Sequence, residues 1–380
     1  MKWSIITTKY EHEKNLHSRL RLTPPGETLA ETIEALGLTQ SDLARRMGRP
    51  LKTINEIIQA KAALTADTAL ELERVLGVPA SLWNGLESNY REHLARQRAA
   101  ARFEVDEAWL ARLPVATMQK RGWLSRTKDK RLIMDELLCF FGCASVAGWV
   151  EAWGNPVAAY RKSPKLQSKP EALAAWLRKA EFEGRKQECA PYDGAVFMAA
   201  LKRLRNATNL PANQWAETLR KECNASGVAY VILPELPDTH ASGAARQIND
   251  SCFLIVQTGR YKDDGHFWFT FFHEARHVLQ GKLKSEWLVE YEGREDPLET
   301  DANTFAREFL IPTRTIREMQ QHHGGKMPVS AGEELAHELG IAPGIVAGRL
   351  QFDGIWPRFV GARLKRRYSM EILLDNAGGG

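Results

Sequence analysis

The chain has only five cysteines in 380 residues, an odd number, and none stands in a Cys-x-x-Cys pair. That excludes a disulfide scaffold, and Cys139, Cys143, Cys189, Cys223 and Cys252 read as buried thiols in a reducing compartment. Cys139 and Cys143 share a helix face, but Leu137, Leu138, Phe140 and Phe141 around them mark that face as core. Long hydrophobic runs are also missing. The longest uncharged stretch, Leu137 to Val150, is too short to span a bilayer, and Met1 to Thr7 contain no apolar signal core, so a cytoplasmic protein with no membrane attachment is expected. Internal repeats and low-complexity tracts are absent, and neither charge sign dominates. The net charge of +5, from 52 Lys and Arg against 47 Asp and Glu, permits a polyanionic partner without requiring one.

What is present is the composition of a soluble globular protein, 44% hydrophobic and 26% charged, with length for two or three domains. The charge is unevenly placed. Residues 261–318 carry 8 Lys and Arg against 12 Asp and Glu, so the basic surface lies elsewhere in the chain. That asymmetry favours a nucleic-acid surface remote from the acidic segment.

The acidic segment contains the most informative residues. His273-Glu274-Ala275-Arg276-His277 is a His-Glu-x-x-His motif within an apolar helical pattern. Residues four apart on a helix share a face, so His273 and His277 can both ligate one metal ion, and Glu274, one step round, reaches a water activated by it. A catalytic zinc usually takes a third side chain. Pro297 to Leu310 supply it on an amphipathic helix with Leu298, Ala302, Phe305 and Phe309 on its apolar stripe. Glu299 shares a face with Ala302, Asn303 and Ala306, small residues that allow a close approach. It is the expected third ligand, with Asp301 as the alternative.

The run Glu299-Thr300-Asp301-Ala302-Asn303-Thr304-Phe305-Ala306, closed by Leu310-Ile311-Pro312, resembles the ImmA/IrrE-like metallopeptidases, whose pattern is His-Glu-x-x-His, then Glu-x-x-Ala-Asn-x-Phe-Ala and Leu-x-Pro. The likeness covers roughly residues 225 to 315. It implies an α+β zincin-like domain with zinc on His273, His277 and Glu299, Glu274 as general base, and a toxin-antitoxin or stress-response setting. Arg276 departs from the pattern, where the family carries Gly. Arg246, Tyr261, His266 and Tyr291 are candidates to stabilise an oxyanion only by proximity in sequence.

Near the other end, Thr39-Gln40-Ser41-Asp42-Leu43-Ala44-Arg45-Arg46-Met47-Gly48 opens with a Thr cap and turns tightly into Arg49-Pro50-Leu51-Lys52-Thr53-Ile54-Asn55-Glu56-Ile57-Ile58. Leu29, Ile33 and Leu36 precede this pair as a helix, and Thr65 caps another through Leu72 to Gly77. Two short helices about a tight turn inside a small bundle make a helix-turn-helix, whose second helix can enter the major groove. Lys52, Thr53 and Asn55 are expected to face bases, and Gln40, Arg49 and Lys61 phosphates or flanking bases. Together with Pro25-Gly26-Glu27, Ala69-Leu70-Glu71-Leu72 and Leu82-Trp83-Asn84, these segments resemble the HigA-type antitoxin subgroup of the phage-repressor-like DNA-binding domains over residues 24–90. Arg49-Pro50-Leu51 departs from the small polar residues usual before the recognition helix.

The chain then reads as mainly α with a small β-sheet. The expected parts are an N-terminal arm at 1–23, a helix-turn-helix domain at 24–90, a helical connector and middle domain at 91–225, a metallopeptidase domain at 226–318 and a helical extension at 319–380. Val228 to Leu233 and Cys252 to Thr258 are the β-rich runs. Trp109, Trp123, Trp149, Trp153, Trp176 and Trp215 mark a helical middle region with an aromatic core. Arg363 to Arg367 form a basic patch. Operator DNA bound by a homodimer, and a toxin or repressor as protein partner, are the expected partners. The competing reading is a non-catalytic antitoxin whose metal domain is a scaffold or sensor.

Overall fold

The computed structural model describes residues 23–101, 103–161, 169–281, 287–290, 297–325 and 327–375, so nearly all of the expected N-terminal arm lies outside the described residues. The chain divides into two compact units, 1–106 and 107–380.

The first unit is helical: α1 Pro25–Ala35, α2 Gln40–Met47, α3 Leu51–Ile58, α4 Ala66–Leu76 and α5 Ala80–Ala101. Local chemistry fixes where α2 starts and stops. Thr39 Oγ1 accepts from the Asp42 amide and Asp42 returns a carboxylate oxygen to the Thr39 amide, a reciprocal cap, while Gly48 ends the helix in the left-handed region at φ 64°. Pro50 then caps α3, so the two helices are joined by a turn that only Gly48 and Pro50 make this sharp. Leu29, Leu43, Ile54, Leu72 and Trp83, all fully buried, hold the helices together.

The second unit begins with helices. The end of α6 (Phe103–Leu110), α7 (Val115–Lys120), α8 (Lys130–Phe141), α9 (Val146–Arg161), α10 (Pro170–Arg185), α11 (Gly194–Ala207) and α12 (Ala212–Asn224) come first, in the same unit as the sheet that follows. Residues Lys130–Gly154 are long and apolar enough to cross a membrane by composition. In the fold, Gly142 at φ 69° breaks that stretch, and Phe141 packs edge-on against Trp109, Trp149 and Trp153.

A four-stranded sheet follows, with strand order β1-β3-β2-β4, built from β1 Val228–Ile232, β2 Gly243–Asn249, β3 Cys252–Gln257 and β4 Leu288–Glu290. β1 runs parallel to β3, and β2 pairs antiparallel with β3 and, through Gly243 to Ala245, with β4. Across the sheet lies α13, Asp264–Gln280, and after β4 comes α14, Pro297–Leu310. The short helices α15 Thr313–His322, α16 Val329–Leu339, α17 Pro343–Phe352 and α18 Met370–Asp375 close the unit. Phe267, Trp268, Phe271 and Phe272 of α13 sit in one core with Trp215, Tyr230, Ile255, Leu310 and Val346.

Because the two units have separate cores, a cavity in one should spare the other. Leu43→Ala, at a fully buried position, is expected to destabilise the first unit by about 2–5 kcal/mol. DNA binding should be lost in a gel-shift assay while metal content, measured on the same protein, stays at the wild-type level.

Candidate metal centre and DNA-reading helix

The centre is built on α13. Asp263 caps its start by accepting the His266 amide at 3.0 Å, and Gly281 ends it at φ 65°. Between them the helix is buried nearly all round, so its polar groups must find partners inside the protein. His273, Glu274 and His277 are fully buried, and Glu299 of α14 is 3% exposed. Ala302 and Ala306 on α14, both fully buried, let the two helices lie close enough for that carboxylate to arrive.

His273 Nε2 stands 3.0 Å from His277 Nε2 and 3.0 Å from Glu299 Oε2, and His277 Nε2 stands 3.5 Å from Glu299 Oε1. Two donors about 2.0–2.1 Å from a tetrahedral ion stand roughly 3.3 Å apart, so these spacings fit such an ion. The rest of each imidazole agrees. His273 Nδ1 lies 3.1 Å from Asn303 Oδ1 and His277 Nδ1 lies 3.2 Å from Gln280 Oε1, so each Nδ1–H donates outward and each Nε2 lone pair turns inward. Burial pushes the Glu299 carboxyl up, but where protons on His273 and His277 stand in for the ion, their hydrogen bonds and charge outweigh burial and hold its pKa at about 2. Two imidazoles and a carboxylate within 4.8 Å of one another are a donor set that suits a divalent ion such as zinc.

Glu274 stands outside this triad, under β2. A Cβ added at Gly243 would come within 2.6 Å of Glu274 Oε1 and 2.8 Å of Glu274 Cγ, so only glycine lets the strand pass over this carboxylate. Asp301, the alternative ligand, instead accepts from Arg276 Nε at 2.8 Å and Gln280 Nε2 at 2.7 Å. Of the oxyanion candidates, Arg246 pairs with Glu181 at 3.8 Å and lies over Trp287, and Tyr261 stacks on His266, which bonds Asp263. Tyr291 lies outside the described residues. Gly243, Gln280 and Asn303 were not singled out by sequence as parts of the site; the available signals were Gln280 three residues after His277 and Asn303 four after Glu299. A separate cavity of about 430 Å³, lined by residues such as Leu113, Val115 and Ile133, is not part of this centre.

In the first unit, α3 presents Lys52 exposed, with Thr53 and Asn55 half-buried beside it, and Lys61 is exposed just beyond. Gln40 opens α2. Arg49 is directed inward, its guanidinium forked onto Glu71 at 2.5 and 3.1 Å.

A helix-turn-helix family model matches residues 29–83, and a model of the IrrE N-terminal-like domain, a peptidase family, matches residues 231–351. Virulence-associated protein I of Dichelobacter nodosus is 36% identical over 74 residues, 19% of this chain and 68% of that protein. The uncharacterized HTH-type transcriptional regulator YddM of Escherichia coli K12 is 30% identical over 89 residues, 23% of this chain and 88% of that protein. The chain belongs to the helix-turn-helix family and joins that domain to an IrrE-like one. Among solved structures, an addiction module antidote protein of a HigA family from Coxiella burnetii is 28% identical, with 23% of this chain and 96% of that chain covered and a TM-score of 0.21. The helix-turn-helix domain makes the protein a DNA-binding regulator, and the IrrE-like domain is metallopeptidase-like.

The geometry sets an expectation for metal content. Elemental analysis of the purified protein should find about one divalent ion per chain, and both His273→Ala and Glu299→Ala should lose it. Full metal content in Glu299→Ala would remove that residue from the site.

Proposed function

We propose that this DNA-binding regulator carries a zinc-dependent endopeptidase that cuts a protein partner, a toxin or a repressor, within a toxin-antitoxin or stress-response system. His273, His277 and Glu299 would hold the zinc, which when bound supplies a Lewis acid and a water whose pKa is drawn towards neutrality. Glu274 would be the base that takes up a proton at this site and delivers it to the leaving amine.

One observation carries the reading. Glu274 is a second buried carboxyl beside the triad, and the strand above it has glycine where any side chain would collide with it. A scaffold or sensor needs the three ligands. It gains nothing from a buried acid next to them, which costs free energy to desolvate. The DNA side of the proposal rests on α3, with Lys52, Thr53 and Asn55 towards bases, Gln40 and Lys61 towards phosphate, and Arg49 holding α3 to α4 through Glu71. A homodimer would place two copies of α3 about one helical turn apart on an operator.

Footprinting on DNA upstream of the gene tests the second half. Asn55→Ala should cost about 1–3 kcal/mol at the preferred site and relax its sequence preference, while Lys61→Ala should weaken all sequences alike and lower the salt slope by about 1. Binding indifferent to both changes would remove α3 from the major groove.

Glu274→Gln tests the first half, because it keeps the size of the side chain and removes the base. Zinc content and DNA binding should persist, and cleavage of the co-expressed genomic neighbour should fall by at least ~100-fold. If the neighbour's length on a gel and the growth of the cells are the same with variant and wild type, and the wild type leaves the neighbour uncut, the endopeptidase reading is wrong and a metal-bearing antitoxin remains.

A further inference from the structure

The residue that departs from the family pattern, Arg276, proves to be one end of a chain of contacts that ends on a metal-facing histidine. Its Nε donates to Asp301 Oδ2 at 2.8 Å, and its guanidinium lies 5.4 Å from the centre of the Phe305 ring, which fixes the arm along α14. The same Asp301 oxygen accepts from Gln280 Nε2 at 2.7 Å, and that nitrogen also lies 3.4 Å from the Leu298 carbonyl oxygen. Gln280 Oε1 then faces His277 Nδ1 at 3.2 Å.

The order of donors and acceptors admits one arrangement. An amide can turn over and exchange its oxygen for its nitrogen, unless one end is committed to a partner that only accepts. Asp301 is such a partner. Arg276 Nε and Gln280 Nε2 both donate to its Oδ2, at 2.8 and 2.7 Å, and a carboxylate only accepts. With Gln280 nitrogen committed to that anion and to a carbonyl, Gln280 oxygen must be the end that meets His277. An acceptor at Nδ1 requires the proton on Nδ1, and the lone pair is then on Nε2, where His273 and Glu299 converge.

We propose that Arg276, Asp301 and Gln280 are positioning residues which lock His277 in the Nδ1–H tautomer and so set the metal affinity of the centre. The inference rests on the metal-centre reading above but concerns residues outside the ligand triad. At His273 the Nδ1 partner is the amide of Asn303; the chain of contacts from Arg276 ends on His277. Losing an outer partner of this kind typically weakens metal binding about 10–100-fold.

The test is a zinc competition titration of the full chain against a chromogenic chelator, with cobalt(II) absorption as a second readout. Gln280→Met should weaken zinc binding about 10–100-fold and alter the cobalt spectrum, while the metal-free chain keeps the wild-type thermal transition. Gln280→Glu alone sets a carboxylate against Asp301 and should weaken binding as well. Gln280→Glu combined with Asp301→Asn restores the order, since the new amide can donate to the new carboxylate and the carboxylate still accepts from His277 Nδ1. That double variant should return to within about threefold of wild type, which a merely structural role for Gln280 would not produce. Zinc affinity in Gln280→Met within twofold of wild type, or no rescue in the double variant, would overturn the proposal. Wild type binding zinc no better than His273→Ala would overturn the metal centre itself, and this proposal with it.

Discussion

Two imidazoles one helical turn apart can share an ion only if a third donor reaches them from a different element. The second unit is arranged around that demand. Glu299 arrives on α14, and the approach depends on the alanines at 302 and 306, since larger residues there would hold the helices apart. A buried carboxylate is tolerated because His273 and His277 more than offset the desolvation of its charged form. Each ligand is then aimed by a neighbour, His273 by Asn303 and His277 by Gln280. The aromatic residues of α13 hold the helix that carries two of the three donors against the sheet and α17.

The sheet contributes a constraint of a different kind. β2 passes over Glu274 with glycine at the contact, and its free side is taken by β4 at Gly243 to Ala245. A strand this close to the carboxylate excludes bulk water from one side of it, which strengthens every electrostatic interaction the acid makes. Such a contact is made by backbone and a hydrogen atom. No side-chain pattern announces it.

That explains what was legible in the sequence and what was not. α13 and α14 were readable because their chemistry is periodic: His273 and His277 fall at i and i+4, and Glu299 shares a face with Ala302 and Ala306. β1 and β3 were readable as buried apolar runs. β2, Gly-Ala-Ala-Arg-Gln-Ile-Asn, has little β-forming character until it is paired on both sides, and β4 is three residues long, so neither carries a local signal. The reciprocal Thr39–Asp42 cap and Gly48 were legible as a helix with punctuation. The inward turn of Arg49 was not, because Glu71 lies on another helix and only the folded bundle brings the two together. Arg276 was legible only as a departure from the family pattern, because its partner, Asp301, comes to it on the facing helix.

The commitment of Arg49 to Glu71 also bears on how this domain would hold DNA. Each phosphate neutralised by a cation contributes a slope of about −0.9 to the dependence of log affinity on log salt, so affinity at physiological ionic strength tracks the number of free cations a surface offers. With Arg49 forked onto Glu71, Arg45 paired to Asp42 and Lys52 3.8 Å from Glu56, the surface around α3 offers few further exposed cations, Arg46 and Lys61 among them. The segment around the metal centre adds none of this, since it is acidic overall. One copy would therefore hold DNA weakly. Two copies joined on a pseudo-palindrome double the phosphate contacts and turn the second binding step into an intramolecular one, which is the physical reason for placing a homodimer in the proposed function.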